Sequence, residues 1–136
     1  MNDFDSLNTT SEVLDVATAR DRLAHVKPIV GQIMGLSREI ASLQAELKTG
    51  QMDDERQERL VERHDGCQSS LIAKIRDLNA QGAVLKDPMS GLIDFYTWHE
   101  GELVFLCWKH GEDTIDYWHG IEDGFAGRRP VSDLRG

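Results

Sequence analysis

Leu92-Ile93-Asp94-Phe95-Tyr96-Thr97-Trp98-His99-Glu100-Gly101-Glu102-Leu103-Val104-Phe105-Leu106-Cys107-Trp108-Lys109 is the stretch that decides the fold of this chain. Two runs rich in β-branched and aromatic residues flank Glu100-Gly101. A glycine in the second place of a two-residue loop marks a tight antiparallel hairpin. Such a turn sets the register of its strands. Trp98 then faces Leu103, Tyr96 faces Phe105 and Asp94 faces Cys107. On the opposite face Thr97 meets Val104, Phe95 meets Leu106 and Ile93 meets Trp108. That second face is almost wholly apolar and reads as core. The first mixes rings, a carboxylate and a thiol, and a face so rich in rings is rarely left in water. The C-terminal tail, a second subunit or a ligand should cover it.

Downstream, His110 to Thr114 turns again and Ile115 to His119 reads as a further strand. Pointing Ile115 and Tyr117 inward, beside Trp108 and Leu106, keeps Asp116 off the core. It also sets Asp116 beside Cys107 and Trp118 beside Phe105. The outer face would then carry an acidic and thiol row (Asp94, Cys107, Asp116) next to an aromatic row (Tyr96, Phe105, Trp118). The tail from Gly120 to Gly136 is glycine-rich and carries Arg128, Arg129 and Arg135. Upstream, Ala83 to Lys86 is a short strand before an Asp87-Pro88-Met89-Ser90-Gly91 turn.

Before Gly82 the period is helical. Asp15 is the expected N-cap of a first helix with the stripe Val16, Ala19, Leu23, Val26, Val30, Ile33, Leu36, Ile40, Leu43 and Leu47. Pro28 should kink it near Ala24. The three-residue step from Ile33 to Leu36 is a local stammer, and Gly50 ends the segment. A second helix starts at Asp53 or Asp54, with the stripe Leu60, His64, Cys67, Leu71, Ile75 and Leu78. The short loop between them makes the helices antiparallel. The predicted fold is α+β: a flexible tail (1–14), a long antiparallel helical hairpin (15–82), then a small three- to four-stranded antiparallel meander with a Gly/Arg-rich tail (83–136). Hairpin and sheet should pack as one domain. A first helix of about 35 residues is about 52 Å long, whereas strands of seven or eight residues span only about 25 Å. The hairpin should overhang the sheet, leaving Leu36, Ile40, Leu43 and Leu47 in need of cover. A homodimer that joins two hairpins in a four-helix bundle would supply it.

Composition narrows the function. The chain has 136 residues and a net charge of −9, which disfavours nucleic acid and anionic membrane surfaces as partners. No apolar run approaches the roughly 20 residues of a membrane helix, and the acidic N-terminus does not read as a signal peptide. Cys67 and Cys107 form no CxxC spacing, so free thiols in a cytoplasmic protein are expected.

The stretch from Gly91-Leu92-Ile93-Asp94-Phe95 through Leu106-Cys107-Trp108-Lys109-His110-Gly111-Glu112 and Ile115-Asp116-Tyr117-Trp118-His119 to Gly124-Phe125-Ala126-Gly127-Arg128 resembles an uncharacterised bacterial and archaeal family, domain-of-unknown-function family 2203. Some of its members bear a "division initiation protein" label without proof. The pattern is Cys-Trp-x-x-Gly-Glu, a Trp-His pair and Gly-Phe-x-Gly-Arg in order. The resemblance covers roughly Asp15 to Val131. It implies the same fold and no particular activity.

Candidate site residues lie in the aromatic quarter. Cys107, His119 and Glu112, with Asp94 and Asp116 nearby, are possible ligands of a divalent metal. The expected register nevertheless sets His119 on the face opposite Cys107, and the bland alternative is a buried Cys107 with solvated or paired carboxylates. Arg128 could reach back to Glu112 or Asp94 in a bidentate pair, either pinning the tail or binding a ligand. Asp94, Tyr96, Trp118, Glu112, His119 and Arg128 are the ligand-binding candidates, with Trp118 and Tyr96 as a stacking surface for a small molecule or protein partner. His64 reads as an interior histidine. The favoured function is a binding or assembly protein that self-associates through its helices. The alternative is a small metal-dependent or acid–base, hydrolase-like enzyme using Glu112 and His119, although no nucleophile elbow, phosphate loop or zincin signature is present.

Overall fold

The computed structural model describes residues 7–135. Two long helices, α1 (Val16–Lys48) and α2 (Asp54–Ala80), precede five strands: β1 (Ala83–Asp87), β2 (Leu92–His99), β3 (Glu102–Lys109), β4 (Tyr117–Gly120) and β5 (Arg129–Pro130). The strands pair in chain order as an antiparallel meander. The α+β expectation holds, with one strand more than the three to four predicted. The addition is the two-residue β5, too short for alternation to reveal, which pairs with Tyr117 and Trp118.

Asp15 caps α1 by accepting from the Thr18 N–H, and Asp53 caps α2 by accepting from the Arg56 N–H. Such caps satisfy backbone donors that the first turn leaves unpaired. The helix α1 runs continuously through Pro28. Its buried stripe passes from Ile33 to Ser37 and on to Ile40 and Leu43. The four-residue step is thus made, by a serine, where the apolar pattern suggested a three-residue step to Leu36. The two helices form the expected hairpin, laced by Arg56–Glu46 at 3.2 Å, Gln44–His64 at 3.2 Å and Arg63–Glu39. Ile40 and Leu43 are buried within this single chain.

The inner face of the sheet packs on the hairpin. Ile93, Phe95, Leu106 and Trp108 join Val26, Val30, Ile33, Ile75 and Leu78 in one core. The β2–β3 pairs are those expected, from Ile93↔Trp108 to Trp98↔Leu103. Glu100 and Gly101 both take positive φ, 51° and 79°, which is the geometry whose twist suits a two-residue hairpin loop. At Gly91 (φ 72°) a Cβ would come within 2.7 Å of both Met34 Sδ and His110 Cβ, so this turn can carry no side chain.

Two expectations are corrected. Residues 7–14 are not a free tail; the rest of that expectation, 1–6, lies outside the described residues. Asn8 bridges Leu85 and Asn79 through its side chain, and the Leu14 N–H donates to the Tyr96 carbonyl at 2.8 Å. This segment occupies backbone groups at the sheet edge, which otherwise invite pairing with another chain. The second correction is the β3–β4 register. Leu106 pairs with Trp118 and Phe105 with His119, one position from the expected alignment. Ile115 still reaches the core, but from the loop before β4, where Arg20 clasps its carbonyl at 2.9 and 3.1 Å. Trp118 then turns inward in place of Tyr117. The larger ring removes more apolar surface from water.

Candidate metal centre

The slipped register rebuilds the outer face. In β4 it turns His119, not Trp118, outward, beside Phe105 and diagonal to Cys107 and Asp94. The expectation that His119 lies opposite Cys107 is therefore corrected: both lie on one face. Asp94, Cys107 and His119 place one carboxylate oxygen, the thiol sulfur and one ring nitrogen within 4.8 Å of one another. Their exposures are 1%, 0% and 3%. Among the described residues this is the one such cluster of three or more.

Hydrogen bonding orients the histidine. Its Nδ1 lies 2.8 Å from the Gly120 carbonyl, an acceptor only, so Nδ1 carries a proton. Nε2 then faces both oxygens of Asp94, each at 3.1 Å. A bare lone pair aimed at two carboxylate oxygens is repulsive, so a positive charge belongs between them, a proton or a metal ion. Burial works against a charged imidazole, but the hydrogen bonds to Asp94, Cys107 and Gly120, with the charge of Asp94, push His119 up to about 10. With Nδ1–H tied to a carbonyl, Nε2 can exchange its proton for a metal ion, the orientation that metal sites use. In tetrahedral coordination, ligand atoms 2.0–2.3 Å from one ion stand roughly 3.3–3.8 Å apart. Side-chain movements of up to about 1 Å would close the cluster, whose atoms lie within 4.8 Å, onto one ion.

A cavity of 110 Å³ opens onto Asp94 and His119, walled by Phe105, Ile121 and Phe125 with Lys86 among its lining residues. The loop after β4 forms the outer wall. Asp123 folds it by accepting from the Gly120 N–H at 3.1 Å.

Glu112 lies outside the Asp94–Cys107–His119 cluster. Its carboxylate takes a bidentate pair from Arg128, at 2.6 and 2.8 Å, and accepts from the Lys109 N–H at 2.8 Å. Burial opposes its charge, but these bonds and the neighbouring cations hold the carboxyl below its usual range. The Arg128 guanidinium lies over Tyr117 at 4.2 Å and Phe125 at 4.5 Å and donates to the Cys107 carbonyl. Glu112 and Arg128 therefore form a latch that holds the 120–128 loop against the sheet. Of the ligand-binding candidates, Asp94 and His119 meet at the centre, while Glu112 and Arg128 pair beside it. Tyr96 stacks on Phe105 at 4.7 Å. Trp118 is only 4% exposed and belongs to the core, so it offers no stacking surface on the outer face.

The residues that bear the Cys-Trp-x-x-Gly-Glu, Trp-His and Gly-Phe-x-Gly-Arg pattern thus supply two of the three clustered side chains, the latch and the cavity wall. The model of a family described as "Uncharacterized conserved protein (DUF2203)" matches residues 12–131. The chain belongs to this family. No curated protein and no solved structure matches it. The match spans both helices, all four longer strands and the latch.

Sequence reasoning named Asp94, Cys107 and His119 but could not assemble them, because a one-residue slip decides which way His119 points. It missed Lys86 and Phe125 as lining residues. Alternation along β1 does put Lys86 on the outer face, two residues after Val84, and that signal was available.

Proposed function

We propose that this chain is a cytoplasmic binding protein that holds one divalent cation of the zinc class between Asp94, Cys107 and His119, with a further coordination position open to the adjoining cavity. One observation carries this: a buried thiol completes the pair of His119 and Asp94 within 4.8 Å. A shared proton alone would satisfy the imidazole and the carboxylate, and it would need no sulfur. Thiolate, imidazole and carboxylate together are the donor set of zinc-class ions. Burial in a sheet adds stiffness, because all three side chains stand on paired strands. Their combined charge suits the ion, since a thiolate and a carboxylate balance a divalent cation. Three protein ligands with one position left open are typical of sites that bind something besides the metal.

The acid–base alternative draws less support. Glu112 is held as a carboxylate by Arg128 and Lys109, and the cluster around His119 does not include it. The experiment is an equilibrium titration of chelator-treated protein with Zn²⁺. One equivalent should bind, and Cys107→Ser, Asp94→Asn and His119→Ala should each weaken binding at least tenfold, while Glu112→Gln should not. Binding that all three ligand substitutions leave unchanged, or no binding to the folded wild type, overturns it.

A further inference from the structure

We propose, building on that metal site, that the open position takes the carboxylate of a short-chain monocarboxylic acid, held between the cation and the Lys86 ammonium with its alkyl end among Phe105, Ile121 and Phe125. The cavity carries the claim. At 110 Å³ it far exceeds the roughly 10–15 Å³ one water needs, yet falls short of the ~300 Å³ at which drug-sized pockets begin. Its floor is the polar pair Asp94 and His119, and its walls are largely apolar. The Lys86 Nζ lies 4.3 Å above the Phe105 ring, and that ring is 5.5 Å from the His119 imidazole. A cation thus stands over one side of the ring next to the metal ligand. Among the described residues Lys86 forms no salt bridge.

Charge selects the class. Thiolate, carboxylate and divalent ion sum to zero, so Lys86 leaves one positive charge for a guest to neutralise. A monoanion fits this sum and a dianion overshoots it. Apolar walls then favour an acid with a hydrocarbon end over a fully polar oxyanion. Phe125 sets the length. It also borders a second cavity of 310 Å³ that reaches Lys109, so its ring divides the two spaces.

The test uses full-length protein loaded with Co²⁺ in place of zinc. The thiolate-to-cobalt charge-transfer band reports the metal site, and the ligand-field bands report what occupies the open position. Acetate, propionate, butyrate, hexanoate and inorganic phosphate are the probes. The short carboxylates should shift the ligand-field bands saturably. Lys86→Met should weaken them about fivefold, the effect of a partly exposed charge pair. Phe125→Ala should move the preference towards hexanoate. Lys86 and Phe125 are solvent-exposed, so both variants are expected to fold, and an unchanged charge-transfer band verifies each. An intact charge-transfer band with no carboxylate response, or a response to phosphate alone, overturns this proposal and leaves the metal site standing. A Lys86→Met variant that binds the acids as tightly as wild type overturns it as well. No charge-transfer band in wild type overturns the metal site itself.

Discussion

His119 and Trp118 are neighbours that the register sends to opposite faces, and their substitution should separate two kinds of energy. Removing His119 leaves Asp94, 1% exposed, without its counter-charge. Breaking a buried pair in this way typically costs about 3–5 kcal/mol, so metal-free His119→Ala should lose stability on that scale in urea unfolding. A loss below about 1 kcal/mol would mean that Asp94 is not buried as an ion. Trp118→Ala should also cost about 3–5 kcal/mol, by opening a cavity in the core. Trp98, 52% exposed, should tolerate alanine within about 0.5 kcal/mol. Trp98, Trp108 and Trp118 recur every ten residues in the sequence, and exposure sets Trp98 apart from the other two, at 1% and 4%. Trp98 was placed correctly from alternation across a two-residue turn. Trp118 was not, because Ile115 and Trp118 both point inward three residues apart, which strict alternation forbids.

Among the elements, the loop after β4 is held by the Glu112–Arg128 latch, which brings a pH dependence. Glu112 has a folded pKa below its ordinary 4.5. A carboxylate with a depressed folded pKa contributes stability that is complete above the unfolded value and disappears as pH falls through the folded one. The wild type should therefore lose stability more steeply than Glu112→Gln below about pH 4.5, as followed by denaturant midpoints across the acid range. Parallel curves would show that the latch adds nothing to folding. The pairing of Arg128 with Glu112 was legible in the sequence as one of two options, since glycines flank Phe125 and an arginine follows. That Asn8 would satisfy the β1 edge was not, because a lone asparagine in a polar stretch gives no periodic signal. The hairpin helices and the Asp15 cap were legible because long apolar stripes follow, whereas the sequence marks Asp53 or Asp54 only as the start of the second helix, whose cap proves to be Asp53.

The whole molecule is a helical arm backing a sheet whose far face carries the chemistry. The overhanging seam of the arm suggests a homodimer; of its four residues Ile40 and Leu43 are buried within one chain, while Leu36 and Leu47 are only half-buried. A four-helix bundle would have to combine the half-buried Leu36 and Leu47 with outer residues such as Val61, 40% exposed. We expect thermal unfolding at a midpoint independent of protein concentration, with light scattering giving the mass of one chain. A midpoint that climbs with concentration would mean that two arms complete each other. The same architecture explains why the proposed metal centre can be stiff while its outer wall is a loop. Asp94 and Cys107 face each other across the most regular strand pair, whereas Phe125 rests on the latch. Binding of a divalent ion to the folded state should raise stability by mass action, by about 2.7 kcal/mol at a hundredfold excess over Kd.

The most direct measurement is X-ray absorption at the zinc edge of the stoichiometrically loaded protein. One sulfur at about 2.3 Å with nitrogen and oxygen neighbours near 2.0 Å is expected for coordination by Cys107, His119 and Asp94. A first shell without sulfur, or one identical in Cys107→Ser, would contradict it.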